Sequence, residues 1–134
     1  MIKIFLAEDH YVLREGIKQI LSDEKDILVT GEAINTEKMI NSPENPDPDV
    51  LIADMPAPVK NVLDTLTELK HKFPHTKILI LGMYDDKEVV TFALKSGADG
   101  YLNKDSVSEE LVSAVREVYL GRKFIGSSID KNPK

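Results

Sequence analysis

Three features of the sequence predict an α/β domain in which one parallel sheet carries helices on both faces. Short apolar runs suited to strands alternate with segments of helical periodicity, and the connections between them are a few residues long. One apolar run, Val50-Leu51-Ile52-Ala53, stops abruptly at Asp54. A continuous apolar run fits a strand buried on both faces, as at the centre of a parallel sheet. Asp54 then stands at that strand's C-terminal edge, where open α/β sheets bind their ligands. Taken alone, Asp54 is as readily a turn former or a helix cap.

The elements follow in order. Ile2, Ile4, Phe5, Leu6 and Ala7 make a first strand, broken by the acidic pair Glu8-Asp9. Val12, Leu13, Gly16, Ile17, Ile20 and Leu21 recur at helical spacing and predict an amphipathic helix over roughly 11–22. Ile27-Leu28-Val29 is a second strand that leaves through Thr30-Gly31-Glu32-Ala33. Asn35 or Thr36 can cap a short second helix, because Pro43, Pro46 and Pro48 allow no continuation. After the third strand, Val62, Leu63, Leu66, Leu69 and Phe73 mark a helix stopped by Pro74, and Ile78-Leu79-Ile80-Leu81 is a fourth buried strand ending at Gly82. A fourth helix covers about 86–96, with Asp85-Asp86 at its positive end and Gly97 suited to its C-terminal cap.

Ala98 to Asn103 gives a short fifth strand that runs into Lys104. Ser106 and Glu109 have capping-box spacing and open a fifth helix, with Leu111, Val112, Val115, Val118 and Tyr119 on its inner face. Gly121 ends that helix, so the domain is expected over residues 1–121, and 122–134 reads as a linker or tail. Five strands alternating with five helices fit a doubly wound parallel sheet in the flavodoxin-like order 2-1-3-4-5.

Composition narrows the chemistry. The chain has 134 residues, enough for one domain with an ordinary core. It has no cysteine, which excludes disulfides, thiolate metal sites and a cysteine nucleophile, and its three histidines argue against a zinc site. The formal charge of −6, with acids mixed among lysines, argues against this domain itself gripping nucleic acid or anionic lipid. The apolar N-terminus is too short for a signal segment before Glu8-Asp9, and no run reaches membrane-spanning length, so a cytoplasmic protein without membrane contact is expected.

In the strand order 2-1-3-4-5, the first and third strands are neighbours at the topological switch point, which brings Glu8 and Asp9 beside Asp54. Three converging carboxylates repel and raise one another's pKa unless a cation compensates. Oxygen ligands from one or two carboxylates, completed by water and a phosphoryl oxygen, suit Mg²⁺. Lys104, at the end of the fifth strand, reaches the same pocket and offers a charge to a bound anion. A carboxylate nucleophile, a metal and a lysine together are the apparatus of phosphoryl transfer to an aspartate.

The joint order of several motifs carries a family resemblance. They are Glu8-Asp9-His10, Leu13-Arg14-Glu15-Gly16, Asp54 with Pro58 four residues on, Met83-Tyr84-Asp85-Asp86, Ala93-Leu94-Lys95-Ser96-Gly97-Ala98 and Gly100-Tyr101-Leu102-Asn103-Lys104-Asp105. With these, residues 1 to about 121 resemble the receiver domain of bacterial two-component response regulators, in the subfamily with a LuxR-type helix-turn-helix output. The resemblance implies that Asp54 is the phosphoacceptor and that Asp9 and Asp54 ligate Mg²⁺, with Glu8 acting through water or as a further ligand. It gives the Pro56 carbonyl to the metal and Lys104 to the phosphoryl group, and it makes Tyr101 an aromatic whose inward or outward rotamer reports the state of the site. Without the resemblance, Tyr101 reads as ordinary packing and Lys104 as a solvated strand end.

Two positions depart from the family pattern. Where a Thr or Ser usually ends the fourth strand, this chain has Gly82, and where a backbone amide usually meets the phosphoryl group, it has Pro56, which lacks an N–H. Each lost hydrogen bond to a charged group is worth ~1.5–3 kcal/mol. Two function classes follow. The first is a phospho-accepting receiver, not a turnover enzyme, that serves a phosphorelay from a sensor histidine kinase and controls transcription through a DNA-binding domain not in this chain. The second is a pseudo-receiver working by protein contact alone. A homodimer fits either. Phe92, turned outward near Tyr84 and Tyr101, marks the fourth helix as a candidate partner face.

Overall fold

The computed structural model describes residues 1–44, 46–56, 58–83 and 85–129, with the side chain of Val59 outside that description. The strands are β1 (Ile2–Ala7), β2 (Ile27–Ala33), β3 (Val50–Asp54), β4 (Lys77–Gly82), β5 (Gly100–Asn103) and β6 (Phe124–Ile125). The helices are α1 (Tyr11–Ser22), α2 (Thr36–Ile40), α3 (Val62–Lys72), α4 (Lys87–Lys95) and α5 (Val107–Tyr119). All strand pairs are parallel, in the order β2-β1-β3-β4-β5-β6, so the expected order holds and gains one strand at its far edge.

Side chains alternate across the sheet and split the core into two layers. On one face Phe5, Leu51, Ile78, Ile80 and Tyr101 pack against Val62, Leu66 and Leu69 of α3 and Val90 and Ala93 of α4. On the other, Ile4, Leu6, Ile52, Leu79, Leu81 and Leu102 meet Ile17 and Leu21 of α1 and Leu111, Val115 and Val118 of α5. The apolar run in β3 is buried throughout, since it feeds both layers from the middle of the sheet. Register then sets the site: Ala7 lies opposite Ala53, so the residues after β1 and the last residue of β3 emerge side by side.

Several local expectations change. β2 continues through Thr30-Gly31-Glu32-Ala33, because that stretch pairs with Phe5, Leu6 and Ala7 after a register shift. The Ser106 side chain forms no cap, since Lys104–Ser106 is a 3-10 turn and Asn103 takes over, its Oδ1 accepting from the Asp105 amide at 2.8 Å. Asn35 does cap α2, accepting from the Lys38 amide. Gly97 and Gly121 follow α4 and α5 at φ of 127° and 89°, the left-handed conformation that ends a helix and suits glycine. Tyr119 and Val12 lie on exposed sides of their helices rather than in the core. The stretch after Gly121 also differs from the expected tail: Phe124 and Ile125 pair with Gly100 and Tyr101, and Ile129 is buried in the layer under α3 and α4.

Candidate functional site

The C-terminal ends of β1, β3 and β5 converge, and their next residues carry the charge. Glu8 is fully buried, and its Oε2 accepts from the His10 amide at 3.0 Å while the His10 ring Nδ1 lies 2.8 Å away. The Glu8 Oε1 atom has no hydrogen-bond partner among the described residues. Asp9 points outward, but its amide donates to Asp54 Oδ2 at 3.4 Å, tying the two loops together. Lys104 Nζ reaches back across the sheet edge to Asp54 Oδ1 at 2.7 Å and to Glu8 Oε2 at 3.3 Å. The Asp54 contact is an ion pair, and Oδ1 is otherwise without a partner among the described residues.

These contacts set the proton distribution. Burial works to raise the Glu8 pKa, but contacts with Asp54, the His10 amide and ring, and the Lys104 charge outweigh it and hold Glu8 low. For Asp54, burial raises the pKa, the adjoining Glu8 adds to this, and Lys104 only partly offsets them. Burial disfavours the Lys104 ammonium, yet Asp54 and Glu8 more than compensate and its pKa is raised. Glu8 and Asp54 thus titrate as a pair, with Asp54 pushed up and Glu8 held down by the surrounding contacts.

A buried acceptor with no donor is costly unless something positive supplies a partner. Ligand atoms from Glu8, Asp9, His10 and Asp54 all lie within 4.8 Å of one another, so the group fits a divalent cation. Pro56, Asp9 and Asp54 line one cavity of about 510 Å³ together with Asn61 and Thr65 of the α3 segment. Of the residues singled out on sequence, Glu8, Asp9, Asp54 and Lys104 are brought together, and Pro56 lies at the same mouth.

Gly82 and Tyr101 stand one register step from this cluster, and their relation was not legible in the sequence. Tyr101 is fully buried, and a Cβ on Gly82 would lie 2.1 Å from its hydroxyl oxygen and 2.7 Å from Cζ. Gly82 is therefore more than a missing hydroxyl; its bare backbone makes the room that the Tyr101 ring tip fills. The expected exposed aromatic cluster changes accordingly, because Tyr101 is inside, Phe92 alone shows as partly exposed, and Tyr84 lies outside the described residues.

Other supporting residues stand in the quoted motifs without a role that the sequence reveals. Arg14 donates to the Glu8 carbonyl at 2.7 Å and fixes the β1 end from α1. The Asn103 amide donates to Asp85 Oδ1 at 2.6 Å, tying the loop before α4 to the end of β5 beside Lys104. His10 was noted only as part of a motif; its position directly after the acidic pair was the available signal.

The sheet order and its acidic edge define a doubly wound α/β domain with a cation-fitting site at the topological switch point. Residues 4–116 match the family described as the response regulator receiver domain, and the chain belongs to that family. It is 39% identical over 126 residues to the nitrate/nitrite response regulator protein NarL of Escherichia coli K12, covering 94% of this chain and 58% of that protein. The chain thus spans under three-fifths of the length of that relative. The isolated REC domain of RcsB from Salmonella enterica serovar Typhimurium superposes with a TM-score of 0.85 at 24% identity, covering 98% of this chain and 97% of that one, which bears on the fold alone. A LuxR-family two-component response regulator from Aurantimonas sp. SI85-9A1 gives 0.82 at 25% identity, covering 96% and 92% of the two chains. The LuxR-type subfamily expected from the motifs agrees with these relatives.

Proposed function

We propose that this domain accepts a phosphoryl group on Asp54 from the phosphohistidine of a sensor histidine kinase and so passes a signal to a transcriptional output. One observation carries the reading: the buried Glu8 carboxylate, with an unpartnered oxygen, lies against Asp54 while Lys104 spans both. Asp54 is the nucleophile; its oxygen forms the new bond to phosphorus as the bond to the donor nitrogen breaks. Glu8, Asp9 and Asp54, with the Pro56 carbonyl, would hold Mg²⁺. That ion, when bound, keeps the carboxylates ionised and draws charge from the phosphoryl oxygens. Lys104, already directed at Asp54, shifts its ammonium onto the incoming anion. Tyr101 and Gly82 form the switch that couples the site to the α4 face, where Phe92 fits a homodimer contact.

Transcription control runs through a DNA-binding domain outside this chain, a reading in keeping with the name of another relative, the transcriptional regulatory protein DegU of Brevibacillus brevis, and the setting is cytoplasmic. Among the described residues no helix is long and apolar enough to cross a membrane. The pseudo-receiver reading gains no support from the relatives.

Incubation with acetyl phosphate and Mg²⁺, followed by intact mass, tests the reading. The chain is expected to gain one phosphoryl group, and to gain none as Asp54→Asn or with a chelator. Equal labelling of wild type and Asp54→Asn would overturn the assignment.

A further inference from the structure

Residues 122–129 lie as a strap along the outer edge of β5. The Phe124 amide donates to the Asp99 carbonyl at 3.2 Å and the Gly126 amide to the Tyr101 carbonyl at 2.9 Å. Beyond them Ile129 is buried in the same layer as Tyr101 and as Val90 and Ala93 of α4. Ser127 is tied to α5, its hydroxyl donating to Glu110 Oε2 at 2.7 Å and its amide to Glu110 Oε1 at 3.1 Å. The Ser128 hydroxyl lies 3.5 Å from Asp85 Oδ1, in the loop before α4. That same Asp85 oxygen accepts from the Asn103 carboxamide nitrogen at 2.6 Å, and Asn103 Oδ1 caps the turn that carries Lys104. Lys104 in turn stands on Asp54 at 2.7 Å. A short run of polar contacts therefore joins Asp54 to the strap.

We propose that this strap is a latch on β5, docked while Lys104 rests on Asp54 and released at Gly121 when Lys104 moves onto a phosphoryl group. The latch depends on the phosphoacceptor reading above and adds to it the element that moves. Its anchorage is slight: a two-residue strand, the half-buried Phe124, the buried Ile129 and the serine contacts. Segments held by so few buried contacts open most readily. A hinge is present at Gly121, which takes φ 89° with nothing within 4 Å of the place a Cβ would occupy. A ligand shifts such an equilibrium only through contacts that differ between the two states. Here that contact is Lys104: drawn toward the anion, it pulls on the adjoining Asn103, and Asp85 loses the arrangement that seats Ser128. Release uncovers the β5 edge beside α4, and an uncovered sheet edge is a template for pairing with another chain. Coupling of this kind is reciprocal, so loosening the strap must favour the phosphoryl-bound state.

Amide hydrogen exchange in the whole chain, followed by NMR with and without beryllofluoride in Mg²⁺, tests the latch. The Gly126 and Ile129 amides are expected to exchange about ten-fold faster with the mimic bound. Glu110→Ala cuts the tie to α5 and leaves Asp85, Lys104 and Ile129 in place, while Ile129→Ala empties the buried seat. Each is expected to bind beryllofluoride about three- to ten-fold more tightly than wild type, because the docked strap withholds the binding-competent state. Exchange that the mimic leaves unchanged or slows would overturn the latch. So would an unchanged or lowered affinity in Glu110→Ala, or in an Ile129→Ala chain that keeps its fold. In those cases beryllofluoride binding that needs Asp54 leaves the phosphoacceptor reading standing. Failure of the mimic to bind wild type and both variants would defeat the two together.

Discussion

Gly82→Thr is expected to evict Tyr101 from the core. A Cβ at position 82 meets the Tyr101 hydroxyl at 2.1 Å, Cζ at 2.7 Å and Cε2 at 3.1 Å, and ordinary contact begins near 3.4 Å. The backbone cannot yield easily, since Gly82 pairs with Asn103 and Ile80 with Tyr101 in the same ladder. The ring must swing out instead. A buried tyrosine hides roughly 150–250 Å², and at ~25 cal/mol per Å² its full exposure costs about 4–6 kcal/mol. The threonine side chain refills part of the void, so a net loss of about 1–4 kcal/mol is expected. Gly82→Ala should cost a similar amount, while the same change in a Tyr101→Ala background should be nearly neutral, leaving a coupling energy of more than about 1 kcal/mol. Urea denaturation reads the stability, and fluorine NMR of fluorotyrosine-labelled protein, with four tyrosines and assignment by substitution, reads the environment of Tyr101. Gly82→Thr with stability within about 0.5 kcal/mol of wild type and an unshifted Tyr101 resonance would refute the reasoning. The consequence for the site is direct: a hydroxyl can be restored at 82 only with Tyr101 displaced, so any gain in beryllofluoride affinity should appear together with an exposed Tyr101.

Further outcomes follow from the same geometry. Ile129→Ala removes a buried side chain beyond the expected end of the domain and should cost about 2–4 kcal/mol in urea denaturation; no change would mean that the segment after Gly121 contributes nothing to the fold. Lys104→Met takes away the positive partner of Asp54 and should weaken beryllofluoride binding in Mg²⁺ by at least about ten-fold, read by fluorine NMR, with Asp54→Ala abolishing it. The Asp26 pKa is lowered chiefly by its hydrogen bond to Arg116, so this contact stabilises the fold above the ordinary aspartate range and the benefit fades as pH falls through the lowered value. Arg116→Ala should return the Asp26 titration, followed by carbon-13 NMR, upward toward its ordinary value.

The strands, their order and the converging acids were legible because apolar runs and helical periodicity are local signals, and parallel crossover rules leave few ways to connect them. Asp54 was the clearest case: a buried run ending in one carboxylate fixes both the strand and its edge. What was not legible depended on distant neighbours. Thr30 to Ala33 look like a turn, yet pairing with β1 keeps them in the sheet. Phe124 and Ile125 are too short a run to announce a strand, and only the open edge of β5 recruits them. Gly82 and Tyr101 lie nineteen positions apart (101 less 82), and no propensity tells that one fills the space the other leaves. His10 sits in plain view beside Glu8-Asp9, but its contact with the Glu8 carboxylate depends on which way the imidazole turns.

The central claim is that Asp54 carries the phosphoryl group, and chemical trapping tests it most directly. After incubation with acetyl phosphate and Mg²⁺, borohydride reduces an aspartyl phosphate to homoserine, which peptide mass mapping locates in the sequence. The account predicts homoserine at position 54, and none elsewhere. Homoserine at position 9, or a phosphoryl group stable to borohydride on another residue, would contradict it.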